Sequence, residues 1–242
     1  MSGGGRQIGL CADVSVPPDT VRHLLIDQVL PLAISHLGHL VLHAGAVALQ
    51  ATEQAVAFIG PGGAGKSTLT ASLTDAGCRL VADDALVVSL GPPLMARPAY
   101  HGVRLWPEVV SPVYGSEQDA DSLPRVAPYT AKRRVRGNGS WQLADQPVPL
   151  ERVYLLAERE DDQVVIERPR PRDALVALLS HTYVLDVSDR VRLEAQFVSV
   201  SRELAAFDIR RLGYPRTLDR LGAVRAAIIE DLRRSRSGAS PR

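Results

Sequence analysis

One eight-residue segment constrains the fold of this chain more than any other. Residues 60–67 read Gly-Pro-Gly-Gly-Ala-Gly-Lys-Ser and match the pattern G-x-x-x-x-G-K-[ST] at every specified position. An apolar run at residues 55–59 precedes the segment, and a predicted helix, Lys66–Asp75, overlaps its end. Glycines let successive backbone N–H groups point at one anion, and the N-terminus of the helix adds a positive dipole end. The sequence therefore predicts a strand, a phosphate-binding loop and a helix, and with them an α/β fold.

The same segment supplies the residues predicted to hold a nucleoside triphosphate such as ATP. Lys66 would neutralise the β- and γ-phosphates, and the hydroxyl of Ser67 would ligate Mg²⁺. The predicted nucleotide-binding residues are Gly60, Pro61, Gly62, Gly63, Ala64, Gly65, Lys66, Ser67 and Thr68.

Two adjacent carboxylates follow the next apolar run, Arg79–Ala82. A phosphate-binding loop needs a carboxylate on a neighbouring strand to hold Mg²⁺. Side chains alternate along a strand, so Asp83 and Asp84 should have different roles. We predict that Asp83 joins Ser67 at the metal and that Asp84 takes the proton from an attacking hydroxyl. The alternative is a solvated turn.

Two apolar segments each contain one charged or titratable residue whose role has two alternative interpretations. His43 lies within a predicted strand at residues 40–49, where it is either a core residue with a satisfied hydrogen bond or a group that binds phosphate and tunes the acidic pair. Arg104 lies in a predicted short helix at residues 104–110. It either extends its charge to the surface or contacts phosphate.

A dense run of basic residues, 132–136, falls in a predicted loop. Such a run is either a solvated face or a mobile cationic loop that stabilises charge on the transferring group. Lys132 and Arg133 are the catalytic candidates in it. No aromatic residues alternate with the charges, so nucleic-acid binding is not expected.

Composition sets the remaining expectations. The 242 residues carry a net charge of +1, which gives no overall field toward nucleic acid or an anionic membrane. No secretory signal or membrane-spanning run is present in the sequence, and the two cysteines have no metal-ligand spacing. We expect a cytoplasmic protein with one catalytic domain at residues 1–234 and a disordered tail at 235–242, with prolines placing long surface loops between residues 91 and 149.

The quoted motifs resemble a known family. His43-Ala44-Gly45-Ala46-Val47, residues 60–67 and residues 79–84 together resemble the catalytic core of the HPr kinase/phosphorylase superfamily, which is related in fold to phosphoenolpyruvate carboxykinases. The segments Arg104-Leu105-Trp106-Pro107 and Lys132-Arg133 are more similar to those of stand-alone HPr-kinase-like proteins. Some of these are encoded with lasso-peptide biosynthesis enzymes and phosphorylate a serine of the precursor peptide.

The resemblance implies a Mg²⁺-dependent serine kinase with a mixed, partly antiparallel central sheet flanked by helices. Asp84 matches the acid/base position of the family and His43 its active-site histidine. The chain departs from HPr kinases in having Thr68, not Glu, after the loop and in lacking their regulatory domain and C-terminal signature. HPr itself is therefore not the expected acceptor.

Three functions remain open at this stage. The first is a kinase acting on a serine-type hydroxyl of a peptide or protein, including a lasso-peptide precursor. The second is a kinase for free serine or another small metabolite, and the third is a nucleotide-binding regulator with little turnover. The oligomeric state, including a homo-oligomer, is also open.

Overall fold

The protein is represented by a computed structural model that describes residues 7–100, 102–115, 119–136 and 141–237. The strands are β1 (Leu40–Leu42), β2 (Ala44–Leu49), β3 (Gln54–Ile59), β4 (Arg79–Ala82), β5 (Leu86–Ser89), β6 (Met95–Arg97), β7 (Val103–Leu105), β8 (Arg133–Val135), β9 (Val148–Glu158), β10 (Val165–Glu167) and β11 (Ile209–Tyr214). The helices are α1 (Pro18–Leu24), α2 (Leu30–His36), α3 (Lys66–Asp75), α4 (Pro107–Tyr114), α5 (Pro171–Ser180), α6 (Arg190–Glu203) and α7 (Leu221–Ser237). A π-helical turn, Leu25–Val29, joins α1 to α2.

A nine-stranded mixed sheet forms the centre of the molecule. Strands β3, β9 and β11 run parallel, while β2 pairs antiparallel with both β3 and β4. Strands β1, β5 and β6 form an antiparallel group that joins the sheet at the start of β9. A separate antiparallel pair of strands, β7 and β8, lies outside the large sheet. The predicted mixed α/β architecture is confirmed.

Alternating side chains of the central strands face two helical layers. In β3, Val56 and Phe58 pack in a cluster with residues of α3, α4 and α7. Ala55, Ala57 and Ile59 belong to the other cluster, which includes residues of α5 and α6. Residues 55–59 of the strand are therefore buried on both faces, as their uniformly apolar sequence requires.

Helix α3 and strand β4 have the predicted bounds, and β3 begins one residue earlier than predicted, at Gln54. Helix α3 begins at Lys66 and ends at Asp75, and Gly77 follows it with φ of 95°, a left-handed position that glycine adopts without strain. Strand β4 ends at Ala82, directly before the two carboxylates.

Several other predictions need correction. The strand predicted at residues 40–49 is broken at His43, because β1 pairs with β5 whereas β2 pairs with β3 and β4. Arg104 lies in β7 and not in a helix, and α4 begins only at Pro107. Residues 91–149 contain β6, β7, α4 and β8 in addition to loops. Helix α7 runs to Ser237, so the first residues of the predicted disordered tail are helical, while 238–242 lie outside the described residues.

No helix in the described part of the chain is both long enough and apolar enough to cross a membrane.

Candidate active site

The glycine-rich loop is held in shape by two left-handed glycines and by a contact from Tyr214. Gly63 and Gly65 have φ of 76° and 95°, which turns successive N–H groups toward one side of the loop. The hydroxyl of Tyr214, at the end of β11, donates a hydrogen bond of 3.1 Å to Ala64 O. A Cβ at Gly65 would lie only 2.6 Å from the same hydroxyl oxygen. Both the dihedral angle and the close approach of Tyr214 therefore require glycine at position 65.

The ammonium of Lys66 lies at the start of the loop. Its Nζ donates hydrogen bonds to Gly60 O at 2.7 Å and to Pro61 O at 3.1 Å. Burial lowers the pKa of Lys66, and Asp84 and Asp83 act in the opposite direction. The positive charge of Lys66 therefore lies beside the position that an anion bound in the loop would occupy.

A cavity of about 460 Å³, open to solvent, lies over the N-terminus of α3. One group of lining residues is polar or charged: His43, Lys66, Asp84, Arg104 and Lys132. Another group comes from the segment after β11 and includes Arg216, Leu218 and Leu221. The cavity thus combines a charged part with a part that offers apolar surface.

Asp83 is buried beside the loop, with 3% exposure. Its Oδ2 accepts a hydrogen bond of 3.0 Å from the backbone N–H of Arg104. Its Oδ1 is buried and has no hydrogen-bond partner among the described residues. Burial and the nearby charge of Asp84 raise the pKa of Asp83 to about 7, although the charge of Arg104 and the nearby Ser67 act against this rise.

Asp84 adopts an unusual backbone conformation for a residue with a side chain, with φ of 70°. Left-handed geometry costs about 1–2 kcal/mol in a non-glycine residue, and aspartate is one of the side chains that tolerate it best. Since β4 ends at Ala82, this turn, rather than strand alternation, separates the side chain of Asp84 from that of Asp83.

The carboxylate of Asp84 is paired with Arg104. Nη1 of Arg104 donates to Asp84 Oδ2, and Nη2 donates to Oδ1 of Asp27 in the π-helical turn. Burial alone raises the pKa of Asp84, but Arg104 and the basic side chains of His43 and Lys132 outweigh it and hold the pKa below its usual value. Arg104 is only 5% exposed, so its charge does not reach the surface.

His43 lies at the break between β1 and β2, close to Tyr183. Its Nδ1 is 3.3 Å from the Tyr183 hydroxyl oxygen, and that hydroxyl also lies 3.3 Å from Asp84 O. Burial, followed by the charge of Lys66, lowers the pKa of His43. The imidazole is therefore neutral at pH 7, half-buried and within the group of charged side chains.

The basic run 132–136 is divided by the pairing of β8 with β7. Lys132 lines the cavity, and its Nζ lies 5.6 Å from the centre of the Trp106 ring. Arg133 is not among the described residues that line the cavity, because its guanidinium donates to Asp121 and to Leu123 O. Of the two basic candidates, the structure brings only Lys132 to the site. Segment 133–135 is a strand and not part of a loop.

The arrangement fits a divalent cation at one position. No group of three or more His, Cys, Asp or Glu side chains suited to a metal occurs in the described ranges. The unpartnered buried Oδ1 of Asp83 and the nearby hydroxyl of Ser67 are nevertheless the hard oxygen ligands that Mg²⁺ prefers, and Mg²⁺ commonly takes its remaining ligands from phosphate and water.

Residues outside the sequence candidates also contribute to the site, among them Asp27, Tyr183 and Tyr214. Asp27 is the only acidic residue of the apolar turn Leu25–Val29, and this isolation is a signal that could have identified it. Tyr183 and Tyr214 reach the site only through the pairing of distant segments, which no local pattern reveals.

Fold and site together define an α/β protein with a mixed sheet in which a strand, a glycine-rich loop and a helix carry a charged cavity. Neither the scan against protein-family models nor the search of curated proteins finds a match to the chain. Among solved structures, the HPr(Ser) kinase/phosphatase from Coxiella burnetii is similar, with a TM-score of 0.40 and 12% identity over 81% of this chain and 98% of that chain. A similarity of this degree assigns neither a function nor any residue role.

Proposed function

We propose that the protein is a Mg²⁺-dependent kinase that transfers the γ-phosphoryl group of ATP to a serine-type hydroxyl of a peptide or protein. A lasso-peptide precursor is one such acceptor. The observation that carries the proposal is the convergence of loop residues 62–68 with Asp84, His43 and Lys132 on one cavity. Phosphoryl transfer depends mainly on positioning and on stabilising negative charge, and a cavity of this kind supplies both.

The triphosphate would lie with its phosphates in the loop. The N–H groups around Gly63 and Gly65 and the N-terminus of α3 would hold the oxygens. Lys66, which rests against Gly60 O and Pro61 O, would reach the β- and γ-phosphates from there. The nucleoside would extend toward Leu218 and Leu221, which offer apolar surface in the same cavity.

The metal position fits this orientation. Asp83 and Ser67 would hold Mg²⁺, and the bound ion would neutralise charge on the phosphates. Asp83 Oδ1, buried and without a partner among the described residues, gains a ligand in this way.

Asp84 would take the proton of the acceptor hydroxyl. Its lowered pKa keeps it ionised at neutral pH, so it can accept a hydrogen bond from the hydroxyl before transfer. A loose transition state needs little proton removal before the phosphorus–oxygen bond breaks, and a weakly basic carboxylate is sufficient for that. Arg104, paired with Asp84, holds the carboxylate in place.

The decisive experiment replaces Asp84 by Asn and measures transfer of labelled phosphate from ATP together with nucleotide affinity by calorimetry. We expect transfer to fall by about a hundredfold or more, since a general base contributes typically that much, while the affinity for Mg²⁺–ATP stays within a few-fold. Unchanged transfer would remove Asp84 from this role. Tight binding by the wild-type protein with no turnover on any acceptor would instead favour the nucleotide-binding regulator.

A further inference from the structure

A second cavity, of about 370 Å³, meets the first at His43. His43 and Gly62 line both cavities, and Gly60 and Pro61 line only the second. The remaining wall consists of Leu32 in α2 and residues 180–184 at the end of α5 and beyond. The second cavity is open to solvent.

The position of Lys66 shows which end of a bound triphosphate this cavity would meet. Its ammonium, the group that reaches the β- and γ-phosphates in such loops, contacts the carbonyl oxygens of Gly60 and Pro61. Those two residues line the second cavity. Tyr183 also lines it, and its hydroxyl lies 3.3 Å from both His43 Nδ1 and Asp84 O. The second cavity therefore opens at the terminal-phosphate end, beside the residue proposed as the base.

The chemistry of the lining selects the kind of acceptor. None of the described residues that line the second cavity is Lys, Arg, Asp or Glu. Free serine carries a charged ammonium and a charged carboxylate, and charged groups bind tightly only where opposite charges or several hydrogen bonds receive them. A serine within a peptide presents only neutral amides beside its hydroxyl. Ser180 offers a hydroxyl to such a segment, and Thr182, whose hydroxyl donates to Leu178 O at 2.8 Å, offers only an acceptor. Leu32 and Val184 offer apolar surface.

His181 adds a hydrogen-bond acceptor to this wall. Its Nδ1 lies 2.7 Å from Ala177 O, and because a carbonyl oxygen can only accept, Nδ1 carries the hydrogen. The lone pair of Nε2 is then available to an N–H group.

We propose that the second cavity is the acceptor site and that it receives an uncharged, serine-bearing peptide segment. This inference rests on the kinase function proposed above. In the transfer step, a bond forms between the serine Oγ and the γ-phosphorus. The bond from that phosphorus to the β–γ bridging oxygen breaks, ADP leaves with its electron pair, and the hydroxyl proton passes to Asp84.

The test compares acceptors and cavity-filling variants. The acceptors are a library of acetylated and amidated peptides with one central serine and neutral flanking residues, the same library with Lys and Glu flanks, and free L-serine. The variants are Ser180→Trp and Val184→Trp, which fill the cavity, and Val187→Trp, a control at a site with 79% exposure. Label transfer from ATP, ATP affinity by calorimetry and the melting temperature are measured for each protein.

We expect the wild type and Val187→Trp to label the neutral library best. Ser180→Trp should lose about a hundredfold in labelling at unchanged ATP affinity, because displacement of a reacting group by 1 Å can cost that much. Val184→Trp gives the same readout if Ser180→Trp fails to fold. Equal labelling by a folded, cavity-filled variant, or preferred labelling of free serine, overturns the acceptor site alone. A wild type that binds ATP but labels no acceptor overturns the kinase function and this inference together.

Discussion

Arg104 binds Asp84 through Nη1 while its Nη2 holds Asp27 in the π-helical turn. These two hydrogen bonds connect the proposed base to the N-terminal helical segment. Sequence patterns alone did not connect that segment with the site. Arg104 also donates its backbone N–H to Asp83. One residue of β7 thus contacts three carboxylates and fixes their relative positions.

The first prediction concerns this buried cation. Arg104→Ala removes the cation shared by Asp27 and Asp84, whose side chains are 10% and 19% exposed, and leaves His23 as the neighbour of Asp27. Loss of one partner of a buried pair typically destabilises by about 3–5 kcal/mol, and chemical denaturation should show a loss of that size. Arg170→Ala is the matched control, because Arg170 pairs with Asp173 at 84% exposure and should change stability by less than about 1 kcal/mol. Equal effects of the two substitutions would contradict the structural role of Arg104.

The second prediction concerns the loop. Gly65→Ala places a Cβ 2.6 Å from the Tyr214 hydroxyl oxygen, whereas the next atom of that ring, Cζ, is 3.9 Å away. Removing the hydroxyl by Tyr214→Phe therefore relieves the overlap but leaves the cost of a left-handed alanine. A double-mutant cycle on unfolding free energy should give a favourable coupling of about 1 kcal/mol, within the range for contacting residues. Strictly additive effects would show that the two residues do not meet.

The third prediction separates Lys132 from Arg133. Lys132 lines the cavity and Arg133 does not, so only Lys132→Ala should weaken ATP binding, by about tenfold, the size expected for one charge-assisted hydrogen bond. The loss should be larger for ATP than for ADP if Lys132 contacts the terminal phosphate. Calorimetry with both nucleotides in Mg²⁺ measures the ratio. If Arg133→Ala lost as much ATP affinity as Lys132→Ala, the whole basic run would act as a general cationic surface.

The fourth prediction is a pH dependence of stability. Burial, the charges of Lys66 and Lys132 and, when His181 is protonated, the charge of that residue lower the pKa of His43, although Asp84 acts against them. Unfolded histidine titrates near about 6.5, so below that pH the unfolded chain binds more protons than the folded protein. The contribution of His43 to the free energy of unfolding should therefore decrease as the pH falls from about 6.5 toward the folded pKa and be constant above about 6.5, while the raised pKa of Asp83 acts in the opposite direction over the same range. His43→Gln should remove this contribution, measured by denaturant unfolding between pH 5 and pH 8.

The control for that measurement is His39→Gln, a substitution at an exposed histidine four residues earlier. It should leave the pH slope of the wild type in place. A slope in His43→Gln equal to that of the wild type would contradict the contribution of His43.

The bounds of α3 and β4 could be predicted from sequence because their signals are local. Gly65 and Gly77 mark the ends of the helix, and an apolar run followed by two carboxylates marks the strand. The break at His43 could not be found in this way, since Leu40–Leu42 and Ala44–Leu49 are both apolar and differ only in their pairing partners. The position of Arg104 in β7 depends likewise on β8, some 30 residues later in the chain.

The residues of the site can likewise be divided into those that local sequence patterns predict and those that only tertiary contacts reveal. The loop residues and the acidic pair follow from a pattern whose spacing carries its own physical reason. The contacts that adjust them come from Asp27, Tyr183 and Tyr214, which are distant from them in the sequence and meet them only in the tertiary structure. Sequence thus predicts which groups could react, and tertiary structure determines which of them are paired, buried or left without a partner.

Strand β9 pairs with β6 at its start and with β3 and β11 along the rest of its length. The antiparallel group (β1, β5 and β6) and the strands β3 and β11 therefore share β9 as a common neighbour. We expect neither group to remain ordered if the chain is cut before Val148. Backbone amides in the middle of β9 should be among the slowest in the protein to exchange with deuterium, opening only when the whole domain unfolds.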